Sequence, residues 1–348
     1  MEKDIEIVEE ENSELYEHYH IVVDPGQSPL RVDKFLFNKI MNVSRNKVQQ
    51  SAKAGNILVN NQAVKSNYKV KPGDDISVVM TYPPRDVEIF AEPVPLTIVY
   101  EDDDVLVVNK QAGLVVHPGF NNYTGTLLHG LAHYFKETNQ LDKVENGFGY
   151  LVHRIDKDTS GLLLVAKNEM AQTVLAKQFF DHSIGRKYQA LVWGDVVEEE
   201  GTITGHIGRS LKDRRVMTVF PEGEFGKEAI SHYTVLKRFG YVTLVECRLE
   251  TGRTHQIRAH FRYLGHPLFN DERYGGNSIV KGTTFTKYKQ FINNCFAIIP
   301  RQSLHAKSLG FQHPVTKKQL YFESDLALDM QQVLEKWTGY ATHQNPEV

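Results

Sequence analysis

Apolar positions first recur at helical spacing at Val32, Phe35, Leu36 and Ile40, a run that ends near Asn42. Ser44 then has the chemistry of an N-cap for a second short helix carrying Val48 and Ala52, and Gly55 supplies its stop. Past that glycine the period changes to two. Ile57-Leu58-Val59 reads as a strand, Asn60-Asn61 as a turn, and Lys71-Pro72-Gly73-Asp74 as a turn into Ile76-Ser77-Val78-Val79. Residues 21–80, with a core over 31–80, therefore read as a small α+β module. Tyr82-Pro83-Pro84-Arg85 continues neither element, so 81–91 reads as a linker. From residue 92 the pattern is one of many short strands. Ile98-Val99-Tyr100 and Val105-Leu106-Val107-Val108 flank the acidic turn Glu101–Asp104, a hairpin signal. Strands and helices do not alternate regularly. Residues 92–330 therefore read as α+β, with a mixed, mainly antiparallel sheet and flanking helices, and 331–348 as a C-terminal tail.

Charge sharpens this division. The net charge is −3, but residues 1–17 hold eight acidic side chains and one lysine, a local −7. Residues 31–80 hold nine Lys/Arg against three Asp, a local +6. Such asymmetry suits an acidic tail, expected to be disordered over 1–20, beside a nucleic-acid module. No apolar run reaches the roughly 20 residues needed to span a bilayer, and no secretory leader is visible. Cys247 and Cys295 form neither a metal-ligand spacing nor a disulfide framework. The expectation is a reduced cytoplasmic chain.

The candidate chemistry is concentrated in His153–Asn168, HRIDKDTSGLLLVAKN. Asp158-Thr159-Ser160-Gly161 reads as a type I turn, which accounts for Asp158. Asp156 has no such account, and beside Arg154 on a loop held by a core strand it is a candidate nucleophile or general base. Thr251-Gly252-Arg253-Thr254-His255-Gln256-Ile257-Arg258 follows a strand over Val242–Leu249 and opens a helix that Gly265 ends. Ile257, Phe261 and Leu264 would face the core, with His255, Arg258 and Arg262 on the other face. Tyr188 stands at the start of a strand within Gly185-Arg186-Lys187-Tyr188-Gln189-Ala190. Taken singly, each has a bland reading: a polar turn, a solvated helix face, a packed strand tyrosine.

Together these segments resemble the signatures of the RluA-type pseudouridine synthases, which isomerise uridine in structured RNA. The resemblance implies that Asp156 is catalytic, that Arg258 pairs with it, and that Tyr188 stacks on the flipped base and handles a proton. It implies that Arg154 enters the RNA stack when uridine leaves, that Leu304 and Ile257 line the uracil pocket, and that no cofactor or metal is needed. His153 would fix the loop's shape. Asn109–Pro118 resembles a third family motif but has Gln111 where the family has Pro; Lys110 and His117 there are structural or RNA-backbone residues. Residues 31–80 resemble the alpha-L RNA-binding motif, with Arg45, Asn46, Lys47, Gln49, Gln50 and Lys53 facing phosphates. Arg253–Gly276 looks closest to the D-type members that modify large-subunit (23S) ribosomal RNA. A monomer acting on that RNA, or on a pre-ribosomal particle, is the resulting expectation. Transfer RNA is an alternative substrate. A non-catalytic assembly factor is an alternative function, as is a metal-dependent RNA hydrolase using His153 with Asp156 or His255 with His260.

Overall fold

The computed structural model describes residues 16–344 apart from 41–42, 81–88, 120–121, 145, 212 and 214–215. The chain divides between Glu88 and Ile89 into two compact units. In the first, the elements are β1 (Tyr16–Val22), β2 (Leu30–Arg31), α1 (Val32–Lys39), α2 (Arg45–Lys53), β3 (Ile57–Val59), β4 (Gln62–Ala63), β5 (Lys69–Val70) and β6 (Asp75–Met80). One sheet has the order β1-β6-β3-β4, and β2 pairs separately with β5. Val32, Phe35, Leu36, Val48, Ala52, Ile57, Ile76 and Val78 form the core, as the helical spacing predicts. Ser44 caps α2 by accepting the Lys47 N–H at 3.3 Å. Asn60 and Asn61 both adopt left-handed φ, 51° and 64°, the geometry a tight hairpin requires. The expected helix end near Asn42 falls outside the described residues; α1 stops at Lys39.

The expected disorder over residues 1–20 is corrected at residues 16–20. Residues 16–20 belong to β1, which pairs antiparallel with β6 from Tyr16–Met80 to Val22–Asp75. Glu17 and His18 diluted the apolar signal of this edge strand, whose register tertiary pairing supplies. Residues 1–15 fall outside the described residues.

The second unit contains β7 (Thr97–Glu101), β8 (Val105–Lys110), α3 (Leu127–Glu137), β9 (Tyr150–Leu151), β10 (Ser160–Ala166), α4 (Glu169–Phe180) and β11 (Gly185–Trp193). It continues through β12 (Glu200–Arg209), β13 (Met217–Phe220), β14 (Lys227–Arg238), β15 (Val242–Leu249), α5 (Gln256–Tyr263), α6 (Thr286–Ile298), β16 (Leu304–Gln312), β17 (Gln319–Glu323) and α7 (Leu328–Gln344). The sheet runs β13-β12-β14-β15-β11-β16-β10-β8-β7, with β17 added to β16 and β9 to β10. Among the described pairings only β10–β16 is parallel. The fold is thus α+β with a mixed, mainly antiparallel sheet, as the strand pattern predicts.

Every residue of β10 is buried. Leu163 and Val165 join the core beneath α3, while Leu162 and Leu164 pack with Ala171 and Leu175 of α4. A strand covered on both faces reads as a continuous apolar run, which is why GLLLVA lacks alternation. Its entrance differs from the expected type I turn over Asp158–Gly161. Thr159 N–H donates to the Asp156 carbonyl at 3.1 Å, so the turn spans Asp156–Thr159, and Ser160 and Gly161 already pair with His305 and Ala306. Strand pairing overrides the local turn preference. Gly161 has φ +111°, and a Cβ there would collide with the Ala306 backbone carbonyl.

The expected tail over 331–348 is corrected by α7. Met330, Val333 and Trp337 are fully buried against Trp193, Phe269 and Ile292. Among the described residues no helix is long and apolar enough to cross a membrane.

Candidate active site

Asp156 stands on the loop between β9 and β10, with its side chain 22% exposed. Arg258 of α5 donates from Nη1 to Asp156 Oδ2 at 2.9 Å. The rest of that guanidinium forms a fork on Asp271: Nε to Oδ2 at 2.7 Å and Nη2 to Oδ1 at 2.9 Å. Asp271 is fully buried, and Arg258 is 6% exposed. Burial opposes the arginine's charge, but hydrogen bonds and attraction from Asp271, and then Asp156, outweigh it and raise its pKa. One guanidinium therefore serves two carboxylates unequally. Asp271 takes both oxygens' worth of donors and positions the cation; Asp156 is engaged through a single oxygen.

The entry to α5 is built for this placement. His255 adopts left-handed φ of 53°, and Gln256 Oε1 accepts from Arg253 N–H at 3.0 Å and Thr251 Oγ at 2.8 Å. His255 Nδ1 lies 2.9 Å from the Tyr274 hydroxyl, which accepts the Met217 N–H at 3.0 Å. Burial pushes the Tyr274 phenol up to about 12 and the His255 pKa down. The phenol and Nδ1 share one hydrogen bond, and His255 Nε2 stands 3.8 Å from Asp156 Oδ2. The expected helix faces hold for Ile257 and Phe261. Leu264 is 39% exposed and caps the helix rather than joining the core.

A cavity of about 520 Å³ opens over Asp156, and Arg154, Tyr188, Ile257, Arg258 and Leu304 also line it. Every site residue expected in the large unit converges there. Tyr188 is 7% exposed, and burial, aided by the Asp156 charge, raises its pKa, so its phenol is protonated at neutral pH. Arg154 is exposed at the rim. Behind the site, Lys110 Nζ donates to the carbonyls of Gln111, Leu114 and Lys157 at 2.8, 2.9 and 2.8 Å. Burial pulls its pKa down to about 7. Three carbonyl acceptors match the three N–H groups of an ammonium, so Lys110 braces the Asp156 turn from beneath. His117 Nδ1 lies 2.9 Å from the Pro118 carbonyl.

Two of the histidines in the suggested metal pairings already spend one ring nitrogen on the protein's own groups. His153 Nε2 accepts the Leu164 N–H at 2.9 Å, and His260 Nδ1 is engaged with Ser231 Oγ at 2.9 Å. Asp102, Asp104 and His313 do cluster. His313 Nδ1, however, accepts the Val315 and Thr316 N–H groups, so its Nε2 carries the proton and donates to Asp102 at 2.9 Å. That nitrogen has no lone pair for an ion.

In the small unit, Asn46, Lys47, Gln50 and Lys53 are exposed on α2, as expected of phosphate-facing groups. Arg45 and Gln49 are not free in that way. Arg45 donates from Nε at 3.1 Å and Nη2 at 3.0 Å to Asp33 Oδ2, and Gln49 donates to the same oxygen at 2.6 Å. Arg31 forms a fork on Asp33 at 3.0 Å for both contacts. Asp33 is fully buried and needs these donors.

Sequence reasoning missed Asp271 and Tyr274 as parts of the site, and Arg186 and Phe179 as cavity-lining residues. Arg186 had a readable signal: it lies two residues before Tyr188 on one strand, hence on the same face. Asp271 had none, since its partner is thirteen residues away across an irregular segment.

The large unit's geometry agrees with the comparisons. Residues 104–263 match the RNA pseudouridylate synthase family, and residues 30–76 match the S4 domain. An uncharacterized RNA pseudouridine synthase of Chlorobaculum parvum is 46% identical over 316 residues, covering 90% of this chain and 96% of that protein. The ribosomal large subunit pseudouridine synthase D of Vibrio parahaemolyticus is 37% identical over 310 residues, covering 88% of this chain and 91% of that one. The solved structure of human RNA pseudouridylate synthase domain containing 4 superposes with a TM-score of 0.56 at 21% identity, over 69% of this chain and 92% of that chain, a likeness of fold. The chain belongs to the RluA-type family of RNA pseudouridine synthases and carries an S4 domain ahead of its catalytic unit.

Proposed function

We propose that this pseudouridine synthase acts on large-subunit (23S) ribosomal RNA, with Asp156 as its catalytic carboxylate. The observation that carries the catalytic assignment is the single-oxygen contact between Asp156 and a guanidinium locked in place by Asp271, at the cavity floor. A cation fixed in this way holds the carboxylate in one geometry, which the reaction needs whether Asp156 attacks the sugar, attacks the base or acts as a base. The uracil's N1–C1′ bond breaks, the base turns, a C5–C1′ bond forms, the C5 proton leaves and N1 takes up a proton, so the atoms balance. Nothing is oxidised or reduced, so no cofactor is required.

The remaining residues take roles around that step. Tyr188 supplies an aromatic face for the extruded uracil; such stacking contributes roughly 1–3 kcal/mol, comparable with the few kcal/mol that flipping costs. Its protonated phenol can exchange a proton with the detached base. Leu304 and Ile257 keep the pocket apolar, and Arg154 at the rim fills the gap left in the RNA stack. Asn46, Lys47, Gln50 and Lys53 give phosphate contacts that position the enzyme without reading sequence. The ribosomal RNA assignment is supported by D-type relatives such as that of Vibrio parahaemolyticus and by the S4 domain. We infer a cytoplasmic monomer acting on this RNA or on a pre-ribosomal particle.

The test is pseudouridine mapping on protein-free 23S RNA, immature large subunits and bulk transfer RNA, each incubated with the purified chain and chelator. New pseudouridine confined to 23S RNA or the particle is the expected result. Modification of transfer RNA alone would overturn the substrate assignment, and modification of none would favour an assembly factor.

A further inference from the structure

Two buried hydrogen-bond donors, on residues that line the cavity, have no use in the reaction as described. His153 Nε2 accepts the Leu164 N–H, and burial, reinforced by the charge on Arg186, pushes its pKa down to about 3. The ring is therefore neutral with its proton on Nδ1, and this buried N–H has no hydrogen-bond partner among the described residues. Arg186 Nε is a second buried N–H without one. Both groups rest on one ring. His153 stacks on Phe179 at 4.7 Å, and the Arg186 guanidinium lies 5.1 Å from the same centroid. All three line the cavity that holds Asp156 and Tyr188.

Two unmet donors and a cation at one place are costly in a folded chain, unless a ligand brings acceptors and negative charge. Among the described residues no ion pair includes Arg186. Its cation–π contact compensates part of the charge but none of the N–H demand. The neighbouring backbone leaves room. Gly252 also lines the cavity, and a Cβ there would stand 3.3 Å from Arg186 Nη1. A carbonyl of the base would satisfy one N–H and leave the charge unbalanced; a phosphate answers both.

We propose that His153 Nδ1–H and Arg186, mounted on Phe179, form a binding site for one RNA phosphate adjoining the extruded uridine. This rests on the reading that the cavity receives that uridine. The site gives the reaction something it needs: the uracil must turn after its bond to the sugar breaks, while the sugar stays in place. A clamp on the adjoining phosphate holds the ribose still and leaves the base free.

The experiment is a side-chain ¹⁵N NMR titration of the full chain with uridine 5′-monophosphate, uridine 3′-monophosphate and uridine. At least one nucleotide should move the His153 Nδ1–H and Arg186 Nε–H signals to saturation, while uridine at equal concentration leaves them in place. Arg186→Gln should weaken that nucleotide's binding at least tenfold and leave uridine's unchanged. Equal movement with uridine, or no movement with either nucleotide, overturns the proposal. On an RNA that the wild type converts, Arg186→Gln should raise KM about tenfold. Losing one phosphate contact should also reduce the slope of log(kcat/KM) against log[salt] by about 0.7. Arg186→Lys, which keeps the charge, should restore the slope; a slope unchanged in Arg186→Gln contradicts the clamp. The titration needs no turnover, so it judges the phosphate site even if ribosomal RNA is not the substrate.

Discussion

Asp33 in the small unit and Asp156 in the large one are both held by arginine, to different ends. Asp33 receives donors from Arg31, Arg45 and Gln49 and is sealed from solvent. Asp156 receives one, from Arg258, and opens onto a cavity. The large unit does contain a saturated carboxylate, but it is Asp271, placed behind the arginine. A carboxylate whose lone pairs are filled by the protein holds its own neighbourhood together. One that shares a pre-positioned cation with a saturated partner keeps capacity for a ligand. Residue type and proximity to arginine do not separate these cases; the remaining acceptor capacity does.

The comparison can be broken most severely at Asp156. Asp156→Asn preserves shape and should lower the single-turnover rate at least about 10⁴-fold. Its Tm should stay within about 2 °C of wild type, because little else depends on the carboxylate. A rate within tenfold of wild type would place the chemistry elsewhere. Arg258→Met should act on both levels. It leaves Asp271 buried and unpaired, which costs about 3–5 kcal/mol in urea denaturation, besides removing the Asp156 contact. A loss under about 1 kcal/mol would mean that Asp271 is not held as its geometry implies.

Asp33 should respond to pH in the opposite setting. Burial alone would raise its pKa, but the hydrogen bonds from Arg31, Gln49 and Arg45 hold it at about 2, below the ordinary value of about 3.9. A depressed carboxylate contributes stability above its unfolded pKa and loses it as pH falls through the folded one. Amide exchange in α1 and α2 should therefore report a loss of about 1–2 kcal/mol between pH 4 and 2, a loss absent from Asp33→Asn. Equal pH dependence in both proteins would remove Asp33 from the account. The smallest effect belongs to Lys47 and Lys53. Replacing either with Ala should reduce the salt slope of RNA binding by about 0.7–0.9 without altering stability. Arg45→Ala, by contrast, should destabilise the small unit.

What the sequence made legible follows the same line between local and non-local causes. The helices and hairpin of the small unit follow from Val32, Phe35, Leu36, Ser44, Gly55 and Asn60-Asn61, because spacing, capping and turn chemistry act within a few residues. The convergence of Asp156, Tyr188 and Arg258 was legible through family signatures; no local rule brings together residues 102 positions apart. The turn at Asp156 was misplaced because the partner that draws Ser160 and Gly161 into a strand lies at His305 and Ala306. Helix α7 was overlooked although Met330, Val333, Trp337 and Tyr340 repeat at spacings of three and four, since polar residues between them masked the stripe. Arg45 and Gln49 looked like RNA contacts because only the folded unit shows that Asp33 claims them.

The most direct test sets the two aspartates side by side. Wild type, Asp156→Asn and Asp33→Asn would each be incubated at saturating concentration with the same 23S RNA and the pseudouridines mapped. The account predicts no new pseudouridine with Asp156→Asn at any enzyme concentration, and the wild-type sites, reached at higher protein concentration, with Asp33→Asn. Conversion by folded Asp156→Asn would contradict it.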